Sequence, residues 1–222
     1  MIKRIKNTVL VLSAFLMLFG AFSPSLSLVA LAYDIDIQEA IEEERELTEE
    51  EFDAFIAMME EYISFEDGEI IIEDGLEGLS NVLGDEVVEV MTGGIEYLNE
   101  LADEDELIIT ENGTIFEADD DDFILQSGGR NRITWHWWGG RAYTCTSNTN
   151  RNARTFQGIG NTAAGVAAVS GFFGGGFVAV LSSLGGLWFR TLGTNMSNRN
   201  SGHSRGIRVS MTWVAAYRTA RQ

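Results

Sequence analysis

QSGGRNRITWHWWGGRAYT, residues 126–144, decides how this chain is read, because a strand pattern and a charge boundary meet in it. Ile133, Trp135 and Trp137 alternate with Thr134, His136 and Trp138, and Gly139-Gly140 is a turn signal before Arg141 to Ser147. Period-two alternation on both sides of a glycine pair predicts paired antiparallel strands. From Arg130 to the last residue there is no Asp or Glu, whereas ADDDDF ends the acidic part just upstream.

The boundary divides the whole chain of 222 residues, whose net charge is -19. Residues 33–129 hold all 34 acidic residues and a single base, Arg45; residues 130–222 hold eleven arginines and no lysine. At ordinary usage about 25% of residues are charged, so a segment of that length should contain roughly eleven acids. Its lack of any is not composition noise: the chain is two electrostatic halves of opposite sign.

The first residues, MIKRIKNTVLVLSAFLMLFGAFSPSLSLVALAYD, carry Lys3, Arg4 and Lys6 ahead of an apolar run from Thr8 to Phe22. Ala30-Leu31-Ala32 follows as a small-residue cleavage site, so residues 1–32 are expected to be a secretory signal peptide and the protein to be secreted. If the apolar segment is not cleaved, it is long enough to anchor the protein at the cell surface. Cys145 is the only cysteine, which excludes an intramolecular disulfide.

Residues 33–118 are expected to form an acidic, mainly helical pro-region. Thr48 with Glu51 makes a capping box, and Phe52, Phe55, Ile56, Met59, Tyr62 and Ile63 recur at helical spacing within Glu39 to Ile63. A second amphipathic stretch spans Glu86 to Leu101. GEIIIEDG, residues 68–75, fits a short strand or a tight connection, and the strand-prone runs around Asn112-Gly113 signal a hairpin. Residues 119–129 read as an acidic and glycine-containing linker.

In residues 130–222, a second alternating run places Ile207, Val209, Met211 and Trp213 on one face and Arg208, Ser210 and Thr212 on the other. Between the strand segments, residues 155–189 contain no charge, with Arg154 and Arg190 at the borders. Gly174-Gly175-Gly176 divides this stretch into apolar arms, Thr162 to Phe173 and Phe177 to Phe189. Arms of 12 and 13 residues are about 18–20 Å long as helices, short of a ~30 Å hydrocarbon core. Two readings stand: a Gly/Ala helical hairpin packed as soluble core, or one that inserts into a membrane. Gly171 and Gly175 form a small-residue GxxxG pair within it. The expected fold class is α+β: an acidic, mainly helical region, then a small antiparallel sheet with an inserted Gly/Ala-rich helical hairpin.

Catalytic and metal chemistry find little support. His136, His203 and Cys145 lack metal-ligand spacing and no carboxylate lies in their half; a Cys145–His nucleophile pair lacks a supporting local motif. Neither a cofactor nor an enzymatic activity is expected. Arginine with interleaved tryptophan is also a surface for phosphates and stacked bases, but export and the uncharged stretch argue against nucleic acid as partner.

The RN segment at Arg130-Asn131 followed by Trp137-Trp138-Gly139, with the Gly/Ala-rich stretch behind it, resembles a group of small secreted Gram-positive proteins. In layout (signal peptide, long pro-region, C-terminal apolar segment) the chain is similar to secreted bacteriocin-like toxin precursors of the sporulation-delaying-protein type, although those carry paired cysteines in the active segment. The resemblance implies an antibacterial precursor. Its cationic domain would become membrane-active once unmasked, by processing at Gly128, Gly129 or Arg130. The residues expected to meet membrane or anion are Arg130, Arg132, Arg141, Arg154 and Arg190 with Trp135, Trp137, Trp138, Trp188 and Trp213, and Gly171, Gly174, Gly175 and Gly176 shape the hairpin. The expected partners are anionic membrane lipid or cell-wall polymer, the chain's own acidic region, and further copies on the membrane. The alternative is a non-toxic envelope protein that binds anionic wall polymer or lipid headgroups through arginine.

Overall fold

The computed structural model describes residues 45–73, 80, 83–118, 131–173, 177, 181 and 184–222. The expected signal segment, the Gly128–Arg130 processing point and the Gly174–Gly176 divide lie outside the described residues.

Helix α1, Glu49–Glu60, starts where the sequence marks it. The Thr48 hydroxyl accepts from the Glu51 backbone N–H at 3.2 Å, and the Glu51 carboxylate accepts from the Thr48 N–H at 2.7 Å. Arg45, the one base of the acidic part, grips Glu51 with two hydrogen bonds of 2.9 Å. That guanidinium holds the Glu51 carboxyl down to about 2. Glu49, Glu50 and Glu51 in the first turn also favour the positive end of the helix dipole. The helix buries Phe52, Phe55, Met58 and Met59.

A hairpin follows, β1 (Ile63–Glu66) and β2 (Glu69–Ile72), closed by Asp67 and Gly68, both with positive φ, as a two-residue primed turn requires. Helix α2, Asp85–Asp103, buries Val88, Met91, Ile95 and Leu98. Its Asn99 amide binds both the N–H and the C=O of Ile70 at 2.9 Å, completing the strand's hydrogen bonds from a side chain. A second hairpin, β3 (Leu107–Ile109) and β4 (Ile115–Glu117), turns through Asn112-Gly113 as expected.

The cationic part forms one antiparallel sheet in the order β5 (Arg132–His136), β6 (Gly139–Thr144), β7 (Ile207–Thr212), β8 (Tyr217–Arg221). The architecture is α+β, with helices inserted between β6 and β7. The turn between β5 and β6 is Trp137-Trp138; Gly139-Gly140 opens β6 instead of forming the turn. The glycines serve close approach. A Cβ on Gly139 would lie 2.1 Å from the Met211 carbonyl oxygen, and one on Gly140 would press on Phe173 and Phe177.

Among the described residues the insert holds three helices, one more than a hairpin: α3 (Thr146–Gln157), α4 (Thr162–Phe173) and α5 (Gly186–Asn200). The strand expected to run to Ser147 ends at Thr144, and Cys145 occupies the N-cap of α3. Helix α4 has the bounds of the first apolar arm. The second arm was expected to end at Phe189, but α5 begins at Gly186 and continues through polar residues to Asn200. Gly165 admits the Phe189 ring, and Gly193 lets α5 meet α3 backbone to backbone. Ile207, Val209 and Met211 face this helical layer with no exposure.

Candidate anion-binding face and its cover

The strand register fixes what the other side of the sheet carries. Arg132, Tyr143, Arg208 and Ala220 pair across the four strands in one row, and Thr134, Arg141, Ser210 and Arg218 in the next. Each strand therefore contributes one arginine to the face opposite the helices. Strands lie about 4.8 Å apart, so arginines two strands apart in one row are about 10 Å apart at their backbones. Arg141 donates from Nε to the Ser210 hydroxyl at 3.0 Å, and its guanidinium carbon is 5.5 Å from the centre of the Trp138 ring. That ring leans back from the turn and stacks on His136 at 4.5 Å. Burial, with the nearby positive Arg141, pushes the His136 imidazole down to about 4.

The acidic part covers this sheet on both sides. On the arginine face, Phe52 of α1 meets Trp138 edge-on at 5.3 Å, and Glu49 pairs with Arg218 at 2.7 Å. On the helix side, Tyr97 of α2 meets Trp135 at 6.1 Å and Trp213 at 6.3 Å, both edge-on. Trp135 in turn stacks on Trp213 and on Phe177. Gly94 is the contact point of α2: a Cβ there would lie 2.2 Å from the Trp213 ring. Burial, then the charge of Glu106, raises the Tyr97 hydroxyl above its ordinary value.

The segment before α1 closes the free edge of the sheet. Leu47 N–H donates to the Tyr217 carbonyl at 2.9 Å. Both the Thr219 N–H and its hydroxyl donate to one Glu46 oxygen, the hydroxyl at 2.6 Å, and Arg199 reaches that oxygen at 3.6 Å. An exposed strand edge is an open row of donors and acceptors; here a backbone amide and a carboxylate occupy it.

The residues singled out in the sequence separate into groups. Arg132 and Arg141 lie on the arginine face. Arg154 and Arg190 are exposed on α3 and α5, away from it, and Arg190 donates to the Ile159 carbonyl at 3.0 Å. Trp135, Trp137, Trp138, Trp188 and Trp213 are 1–7% exposed, so in the folded full chain they are core residues and not surface anchors. The reason is partnership: Phe52, Tyr97, Phe177, Phe189 and Tyr217 supply aromatic faces and edges for Trp135, Trp138, Trp188 and Trp213, and the Trp137 carbonyl accepts from the Trp213 indole N–H at 2.7 Å. Gly171 is exposed on α4. Arg130 and Gly128, Gly129, Gly174, Gly175 and Gly176 lie outside the described residues. Arg208 and Arg218 were not singled out, although the alternation of Ser204 to Tyr217 already put Arg208 on the polar side of its strand.

Cys145 is half-buried, and burial pushes its thiol up, but hydrogen bonds from Ser147, Asn148 and Asn131 outweigh this and leave it below its ordinary value. Among the described residues no three His, Cys, Asp or Glu side chains are grouped to hold a metal ion, and no helix is long and apolar enough to cross a membrane. Comparisons with protein-family models, curated proteins and solved structures give no match.

Proposed function

We propose that the protein is a secreted antibacterial precursor, without enzymatic activity, whose cationic part acts on anionic membranes once the acidic part is removed. The observation that carries this reading is the double cover. Phe52 and Glu49 sit on one side of the cationic sheet, Tyr97 and Gly94 on the other, and Glu46 and Leu47 along its edge. The cover hides tryptophan and neutralises arginine together, which are the two groups a membrane interface recruits. Cutting near Gly128, Gly129 or Arg130 removes the tether, and the freed part carries eleven arginines and no acid. Each arginine near an anionic surface contributes about 1 kcal/mol. Copies that meet on the membrane then have free β8 edges through which to associate.

Dye release from phosphatidylglycerol vesicles tests this, using the full mature chain before and after cutting at a protease site placed within residues 119–130. Release after cutting only, weakened by added salt, is expected. No release in either state ends the precursor reading. Sequencing the N-termini of secreted material checks processing independently.

A second reading rests on the arginine face alone: a non-toxic envelope protein that holds anionic wall polymer. It predicts sedimentation with cell walls and release by salt, with no dye release.

A further inference from the structure

We infer that the outer face of the β5–β8 sheet, with Arg132, Arg141, Arg208 and Arg218, is the surface that docks on anionic phospholipid headgroups, and that Glu49 of α1 occupies it as an internal stand-in for lipid phosphate. This rests on the membrane reading above and assigns the surface that carries it.

Three observations support the assignment. The face is a lattice: one arginine per strand in two adjacent cross-strand rows, all on the side away from α3, α4 and α5. An array of arginines on one sheet face suits a surface of phosphates, because each guanidinium offers a fork that fits two phosphate oxygens. Next, an anion already sits there. The Glu49 carboxylate lies 2.7 Å from Arg218, whose side chain is only 15% exposed, whereas Glu49 is 64% exposed and gives up little packing when it leaves. Last, no acidic residue follows Arg130, so nothing within the cationic part itself repels a phosphate from the face. Trp138, under Phe52 at one end of the face, becomes free to enter the interface when α1 departs.

The test uses the full mature chain cut within residues 119–130 and left unseparated, sedimented with vesicles of phosphatidylglycerol and phosphatidylcholine or of phosphatidylcholine alone. Arg208→Gln is expected to weaken binding to the anionic vesicles about fivefold, and Arg141→Gln added to it about fivefold more. Arg151→Gln, which removes the same charge from the exposed side of α3 in the helical layer, should cost distinctly less. Equal losses from Arg151→Gln and Arg208→Gln would overturn the assignment. Glu49→Gln, at an exposed first-turn position that tolerates glutamine, should raise the bound fraction above that of Glu89→Gln, an equal charge change on the exposed side of α2. Equal effects of these two overturn the stand-in role. Binding to immobilised inorganic polyphosphate without binding to vesicles also overturns the lipid assignment. Thermal unfolding of each variant separates a lost contact from a lost fold, and Arg208→Gln, which leaves the Arg141 contacts with Ser210 and Trp138 intact, keeps the test open if Arg141→Gln does not fold. Dye release in the same samples separates the two ideas. Face-dependent binding without release sinks the precursor function and leaves the surface standing; release that ignores the face arginines does the reverse.

Discussion

At the scale of single residues, Gly94 ties the two halves of opposite charge together. A glycine inside a helix costs about 1 kcal/mol relative to alanine, and α2 holds two in succession. Gly94 has a reason, since the Trp213 ring occupies the space of its Cβ; Gly93 meets nothing within 4 Å. Gly94→Ala is therefore expected to destabilise by about 1–3 kcal/mol through overpacking, while Gly93→Ala stabilises by up to about 1 kcal/mol. Urea unfolding followed by tryptophan fluorescence reads both; equal effects would mean that α2 does not rest on Trp213. His136 makes a second prediction. Its folded value of about 4 lies below its ordinary value of 6.5, so the unfolded chain binds a proton more readily between these values. Its contribution is complete above about pH 6.5 and falls away toward pH 4, by up to about 3 kcal/mol. Glu51, depressed to about 2, adds a further loss only below its ordinary 4.5, so the two windows overlap only at the acid end of the His136 window. Unfolding midpoints measured from pH 7 to pH 4 should lose most of their slope in His136→Gln.

At the scale of elements, α1 links a local signal to the site. Its capping box is written in the sequence as Thr48 and Glu51, and the helix it starts carries Glu49 and Phe52 onto the cationic sheet. Thr48→Ala is expected to cost about 1 kcal/mol and to lower the thermal midpoint by a few degrees. A second effect should follow: easier quenching of tryptophan fluorescence as the start of α1 frays from Trp138. Unchanged quenching would separate the cap from the cover. Elements whose signals are local were legible: the capped helix, the apolar periodicity of α2, the Asn112-Gly113 hairpin and the alternation of β7. Helix α3 was not, because only Thr149, Ala153 and Phe156 face inward from an otherwise polar segment. Gly139-Gly140 misled because a glycine pair signals a turn as readily as a close strand approach, and only the neighbouring Met211 and Phe177 decide between them. The arginine face was half legible. Alternation assigns Arg208 to the polar side, but the row that aligns Arg141 with Arg218 depends on the register of four strands. The cover depends on contacts such as Glu46 to Thr219, 173 residues apart, for which no local pattern exists.

At the scale of the whole molecule, contacts other than the chain between residues 118 and 131 hold the acidic part on the cationic sheet. The described residues of both parts lie in one compact unit, and two kinds of contact join them. The pairs of Glu46 and Glu49 with Arg199 and Arg218 are partly exposed, so each contributes about 0–1 kcal/mol and weakens with salt. The aromatic contacts of Phe52 and Tyr97 with Trp138, Trp135 and Trp213 add about 0.5–1.5 kcal/mol each beyond the apolar area they bury, and salt does not weaken them. The backbone bond from Leu47 to Tyr217 adds an edge contact. A tether holds its two ends at an effective concentration on the order of millimolar, so cutting it weakens association without removing any of these contacts. The cut chain is therefore expected to stay together in solution and to elute as one species on size exclusion, both in dilute buffer and in 0.5 M salt as a rough upper test. Separation should come at an anionic surface, which repels the acidic part and attracts the arginines. Vesicle sedimentation should then carry down the cationic fragment and leave the acidic one in the supernatant. Elution as two species immediately on cutting would mean that the tether alone held the cover. Co-sedimentation of both fragments would mean that the surface does not displace it.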